Sequence, residues 1–301
     1  MDEQEDLIDI RFDNVFKAVF TKETPESMGA LAKLLTALIG REIASVHITT
    51  NEPAIENLRD RQVRFDMQCK LSDGDYVNVE MSMNPDKFEP VRLEFYAGKL
   101  FTGQDIRGTG KSYGELKMAY QIAFLANRDF FEDAGFMHKF EYYDSRLGIP
   151  LGGRSRIITV ELSKLSSLEE KPASAMSGAE RWAFYFRYLT EKGRRQKINE
   201  ILWYEEGIAM ASEVLVKISR DEVERARLIS EYKYEVDMQS KMVEAKREGI
   251  QEGRLAGISE GRSAGRLEER KETAKKLRAM GIPLDMITRV TGLSAEEIVG
   301  L

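Results

Sequence analysis

The residues best suited to chemistry sit on two segments either side of a turn. RQVRFDMQCK (61–70) and DYVNVEMSM (75–83) both alternate with a period of two, the spacing of half-buried strands. On the first, Gln62, Arg64, Asp66, Gln68 and Lys70 form one face and Val63, Phe65, Met67 and Cys69 the other. On the second, Tyr76, Asn78, Glu80 and Ser82 oppose Val77, Val79, Met81 and Met83. Register decides whether Asp66 and Glu80 meet. A two- or four-residue loop sets Asp66 against Met81, whereas a three-residue loop, Ser72-Asp73-Gly74, sets Asp66 against Glu80, Gln68 against Asn78 and Arg64 against Ser82. The three-residue loop also brings both apolar faces to one side and puts Gly74 in the left-handed position such loops use, so this register is expected. Two carboxylates opposed across a strand pair lie about 5 Å apart at Cβ and repel unless compensated. A divalent cation compensates them. Carboxylate oxygens suit Mg²⁺ or Mn²⁺, and such ions activate water for phosphodiester cleavage. The plainer alternative is a solvated polar face, with Arg64 and Lys70 neutralising the acids.

Other segments must position this hairpin. DNVFKAVF (13–20) and MGALAKLLTALIG (28–40) have helical spacing, the first with Asp13 as N-cap and the second stopped by Gly40. VHITT (46–50), KMAYQIAFLA (117–126), FMHKFEYYD (136–144) and SRIITVELSKL (155–165) read as further strands, and EPVRLEFYAGKLFTGQ (89–104) as a helix. ERWAFYFRYLTEK (180–192), ILWYEEGIAMASEVLVKI (201–218) and a run from about 221 to 280 read as helices. The predicted organisation is an α/β core over 1–170, a helical extension over 171–240, and a glycine-repeat helix with a short helical tail over 241–301.

Composition narrows the chemistry. A single cysteine, Cys69, and two histidines, His47 and His138, leave no basis for a disulfide framework or a soft-ligand zinc site. Any metal is therefore expected to be hard and held by oxygen. No apolar run reaches the ~18 residues of a membrane helix, and the acidic start MDEQEDLID does not read as a secretory signal. A cytoplasmic location with no membrane partner is expected. The net charge of −6 averages over a locally basic stretch, because residues 241–278 hold 11 Lys/Arg against 7 Glu. GTGK (108–111) lacks phosphate-loop spacing, both histidines read as structural, and Trp182, Phe184, Tyr185, Phe186 and Tyr188 read as helix packing.

Gly249, Gly253, Gly257, Gly261 and Gly265 recur every four residues. Each interior helix glycine costs about 1 kcal/mol against alanine. The stripe they form permits close approach of another backbone, so a self-association helix making a homo-oligomer is expected, ahead of a flexible linker or a direct DNA contact. The tail AKKLRAMGIPLDMITRVTGLSAEEIVGL (274–301) reads as helix, break, helix, turn and a short helix capped by Ser294 with Glu297. That last piece has no Lys or Arg, so it reads as a packing unit rather than a DNA-reading helix.

The order of these pieces resembles a known family. Asp66 followed by Glu80-Met81-Ser82 resembles the Asp…Glu-x-Lys/Gln core of PD-(D/E)XK nucleases, and more closely the recombination-promoting nuclease / putative transposase family. The likeness adds Asp13-Asn14-Val15-Phe16-Lys17, Arg64-Phe65-Asp66, Asn78-Val79-Glu80-Met81, Arg92…Tyr96…Leu100…Gln104 and Gly110…Tyr113…Leu116, and it ends on the glycine-repeat helix with its tail. The resemblance implies a restriction-endonuclease-like core and a metal-dependent DNA endonuclease using Mg²⁺ or Mn²⁺. Asp66, Glu80 and the carbonyl of Met81 would hold the metal, with Ser82 and Lys17 as further catalytic positions. Asp13, Gln68, Tyr96 and Gln104 would border the site. Ser82 stands where the family has Gln and the wider superfamily Lys. A serine hydroxyl is short and uncharged, so it cannot fully replace a lysine beside the attacking water. The alternatives are a catalytically weakened or inactive DNA-binding, oligomeric interaction protein, or a scaffold built on the glycine helix.

Overall fold

The computed structural model describes residues 6–49, 67–106 and 112–301. The chain divides into two compact units, Met1–Tyr232 and Lys233–Leu301.

In the first unit, α1 (Asp13–Phe20) and α2 (Pro25–Ile39) precede a sheet. Helix α1 starts one residue earlier than the sequence reading has it. Phe12 is its N-cap, Asp13 is its first helical residue, and no side chain caps it. Helix α2 begins at Pro25, whose fixed φ and missing N–H suit a first turn, with the Thr24 hydroxyl accepting from Ser27 N–H. Gly40 ends it at φ 89°.

The strands are β1 (Val46–Ile48), β2 (Met67–Leu71), β3 (Tyr76–Ser82), β4 (Ala119–Leu125), β5 (Met137–Phe140) and β6 (Ser155–Glu161). They form one mixed six-stranded sheet in the order β1-β2-β3-β4-β6-β5. β1–β2–β3 are antiparallel, β3–β4–β6 are parallel, and β5 returns antiparallel on β6. Helix α3 (Glu89–Thr102) provides the crossover that parallel β3 and β4 require.

The two faces of the sheet differ. Met67, Cys69, Val77, Val79, Met81, Ile122, Phe124, Ile158 and Val160 enter one large core with α1, α2 and the later helices α4 (Gly178–Tyr188), α5 (Arg195–Tyr204) and α6 (Glu206–Arg220). Residues 171–240 thus supply helices to the same core as the sheet. Trp182, Tyr185 and Phe186 are fully buried there, as packing rather than as a stacking platform. The opposite face is covered by α3 through Leu93, Ala97 and Leu100, against Ala119, Ala123, Leu125 and Ile157. The continuous helix expected over 201–218 is broken at Glu205, which is extended (φ −132°, ψ 93°). The break turns α6 onto α2, where an added Cβ on Gly207 would meet the Lys33 side chain at 2.4 Å.

Helix α7 (Glu222–Ala279) is unbroken by its five repeat glycines, and a Cβ on any of them would meet nothing within 4 Å. In the second unit, Ala274 packs with Ile287, Leu293 and Ile298 from α8 (Leu284–Thr291), the turn and α9 (Ala295–Val299). Ser294 and Glu297 form a reciprocal cap at the start of α9. No helix among the described residues is long and apolar enough to cross a membrane.

Candidate active site

Hairpin β2–β3 takes the register that the turn chemistry demands. Gln68 pairs with Asn78, Cys69 with Val77 and Lys70 with Tyr76. Leu71 N–H donates to Asp75 O at 2.8 Å, which closes the three-residue loop, and Gly74 sits at φ 94°. Arg41 pairs with both Asp73 and Asp75, the latter at 2.7 Å, and pins the loop from outside. Asp66 and Arg64 lie outside the described residues.

The polar face of β3 is not solvated. Asn78 and Glu80 are both 0% exposed, because α3 covers them. Parallel pairing builds polar rungs on this face. Asn78 lies beside Gln121, and its Nδ2 donates to Gln121 Oε1 at 2.9 Å. Glu80 lies on the rung Glu80–Ala123–Thr159, and Ser82 on Ser82–Leu125–Glu161. A buried carboxylate is tolerable only with a counter-charge or hydrogen bonds. Helix α3 provides Arg92, whose Nη2 reaches Glu80 Oε1 at 3.1 Å and also pairs with the buried Glu89. Burial works against the charge on Arg92. Glu80 and Glu89 outweigh that effect and hold the guanidinium above its ordinary pKa. Tyr96, one turn on, places its ring 5.4 Å from the Arg92 guanidinium carbon.

The remaining expected residues are distributed as follows. Ser82 is half-buried at the end of β3, on the Glu80 face, and its carbonyl accepts from Ala126 N–H at 2.9 Å. The Met81 side chain is buried in the large core, which leaves only its backbone for a metal. Lys17 and Asp13 form an i,i+4 pair at 2.5 Å on α1, whose apolar side packs into the core on the other sheet face. The Gln104 amide accepts from Lys117 N–H (2.8 Å) and donates to Lys117 O (3.0 Å), tying the end of α3 to the approach of β4. Lys70 lies over the Tyr76 ring at 5.3 Å. His47 is exposed on β1, and His138 Nε2 contacts Asp133 at 2.9 Å.

Two buried acids escaped the sequence reading, Glu89 and Glu161. Glu89 carried a usable signal, since it lies three residues before Arg92 on the same helix face. Glu161, held by Lys164 at 2.7 Å, carried none, because its neighbours depend on the order of strands in the sheet.

Oxygen donors of the hard kind are present at Glu80 and along the backbone of β3. Among the described residues, however, no group of three or more His, Cys, Asp or Glu is placed to hold a metal. The donor type at Glu80 fits a hard divalent cation.

A mixed sheet flanked by helices, with a buried glutamate on a central strand, is consistent with a restriction-endonuclease-like α/β fold. The chain belongs to the PD-(D/E)XK nuclease family transposases, whose family model matches residues 10–245. Nucleases of this kind generally use divalent metals. No curated protein and no solved structure matches the chain.

Proposed function

We propose that the chain is a metal-dependent DNA endonuclease, with Glu80, Asp66 and the Met81 carbonyl as the ligands of Mg²⁺ or Mn²⁺. The observation that carries this reading is Glu80 itself. A glutamate costs several kcal/mol to bury uncompensated, yet this one is fully buried on a central strand and braced by Arg92. The observed pairing of residues 67–70 with 76–79 is also the register in which Asp66 would oppose Glu80. A bound divalent ion would supply a Lewis acid and a more acidic water. The chain's own part is to hold and orient Glu80 through Arg92, and to order the floor of the site through the Asn78–Gln121 amide pair. Ser82 offers a hydroxyl at the position next along the face, and Lys17 a cation on α1. Tyr96 fixes the Arg92 guanidinium, Gln104 the end of α3, Gln68 the partner strand opposite Asn78, and Asp13 the ammonium of Lys17.

Plasmid DNA incubated with Mg²⁺ or Mn²⁺ provides the test. Glu80→Gln and Asp66→Asn should each reduce cleavage about 10²-fold or more, the share expected of a metal ligand. Equal cleavage by wild type and both variants would overturn the assignment. A second reading has its own support in Ser82, an uncharged residue where a lysine or glutamine is expected. On that reading the protein binds DNA as an oligomer without cutting it, and full DNA affinity with no cleavage in either metal would favour it.

Helix α7 bears on the oligomer. From Lys233 to Arg270 its residues are all exposed, including Val243, Ile250 and Leu255. We propose that its glycine stripe pairs with a second copy of the chain, which would offset the roughly 5 kcal/mol of lost helix propensity. A cytoplasmic location accords with this reading.

A further inference from the structure

Beside Glu80, on the same sheet face, a cleft of about 240 Å³ opens between the first turns of α3 and strands β5 and β6. We infer that it takes one unpaired nucleobase of the DNA substrate, of the kind that carries an amino group. The inference rests on the reading of the chain as a nuclease, and it adds what part of the substrate is recognised.

Four observations carry it. Aromatic side chains form one wall of the lining, beside the aliphatic Leu93, Leu125 and Ile157. Phe130, Phe131 and Phe140 all face it, and the last two rings lie 5.1 Å apart at 42°. Phe140, on edge strand β5, is 40% exposed, which leaves its ring accessible to a ligand in the cleft. The volume is below the ~300–1,000 Å³ of drug-sized ligand sites, which suits a single flat ring system. Thr159 also lines the cleft. It is 1% exposed, and its hydroxyl makes no hydrogen bond with any described residue. A buried hydroxyl left unpaired costs about 1–3 kcal/mol, which a ligand edge would recover. Finally, the cleft is bordered by three glutamates, Glu89 paired with Arg92, Glu141 paired with Arg156, and Glu94, and by no lysine or arginine among its lining residues. Carboxylates there disfavour a phosphate and accept from exocyclic amines, as in carboxylate readout of cytosine N4. An aromatic and aliphatic wall, a hydroxyl and carboxylate acceptors together match a flat base with a polar edge and do not match a phosphate.

The placement is consistent with this use. Thr159 lies on the same rung as Glu80, two strands away, roughly 10 Å at ordinary strand spacing. Glu89 belongs both to the cleft and to the Arg92 cluster that holds Glu80. A nucleotide whose phosphate approached Glu80 would have its base within reach of the cleft.

The test uses the full chain in EDTA, so that binding is read without cleavage. Three duplexes of one sequence are compared: fully paired, with a single bulged 2-aminopurine, and with a bulged abasic site. The 2-aminopurine duplex should bind about tenfold tighter than the other two, the gain expected from one stacked base, with its emission quenched on binding. Phe140→Ala should abolish most of that gain, and Thr159→Val should reduce it. The melting temperature of each variant, compared with wild type, confirms that it is folded. Equal affinity for all three duplexes, an abasic bulge bound as tightly as the base, or a preference untouched by both variants would overturn the inference. Selective binding without cleavage in Mg²⁺ or Mn²⁺ would sink the nuclease reading and leave the cleft standing. Cleavage without selectivity would do the reverse.

Discussion

Single residues make the sharpest claims. Ser82 lies on the Glu80 face at the end of β3, half-exposed, so a longer side chain there meets solvent rather than core. Ser82→Gln is expected to raise plasmid cleavage about tenfold if one hydrogen-bond donor to a developing charge is what the site lacks, and unchanged cleavage would clear Ser82. Arg92→Ala should lower unfolding stability by about 2 kcal/mol in urea titration. That is less than the ~3–5 kcal/mol for breaking a fully buried pair, because Arg92 is 37% exposed at its side chain. Adding Glu80→Gln should return part of the loss, since the carboxylate left behind is the source of the cost, and additive losses would show that the two side chains do not couple. Burial pushes the Cys69 thiol up to about 12. It should resist iodoacetamide at pH 8 in the native protein and react once denaturant is added, because only the thiolate attacks.

At the scale of elements, hairpin β2–β3 shows how local chemistry selects a register. Gly74 holds φ 94°, and the Lys117 chain lies 3.1 Å from where its Cβ would be. Gly74→Ala should destabilise by about 1–2 kcal/mol in chemical denaturation, chiefly through the left-handed backbone. The hairpin was legible because its period, loop length and glycine all pointed to one pairing. The Glu205 break was less legible. Residues 201–218 keep an apolar helical period across it, and the cause lies in packing, where α6 must pass close to α2 at Gly207. Propensity acts within a segment and is overridden where two segments compete for the same space. Asp13 is a smaller case, a residue type that suits an N-cap but sits one position inside the helix.

On the scale of the whole molecule, the association proposed for α7 can be measured directly. Light scattering of the full chain should give a multiple of 34.4 kDa, and a Gly253→Leu/Gly257→Leu variant should fall toward the monomer. A monomeric wild type at tens of micromolar would dismiss the stripe as an interface. The same scale separates what sequence and tertiary structure each decided. Alternation, turn residues and caps determined the six strands, most helices and the hairpin register, because these depend on contacts only a few residues apart. The sequence also pointed any metal toward oxygen ligands, since the chain holds one cysteine and two histidines. It could not tell that the polar face of β3 is buried, for that follows from α3 crossing the sheet and laying Arg92 on Glu80. Nor could it assemble Thr159, Phe140 and Glu89 around one cleft, because those residues meet only through the strand order β3-β4-β6-β5. Spacing along the chain sets which face a side chain is on, while the packing of distant elements sets what that face meets.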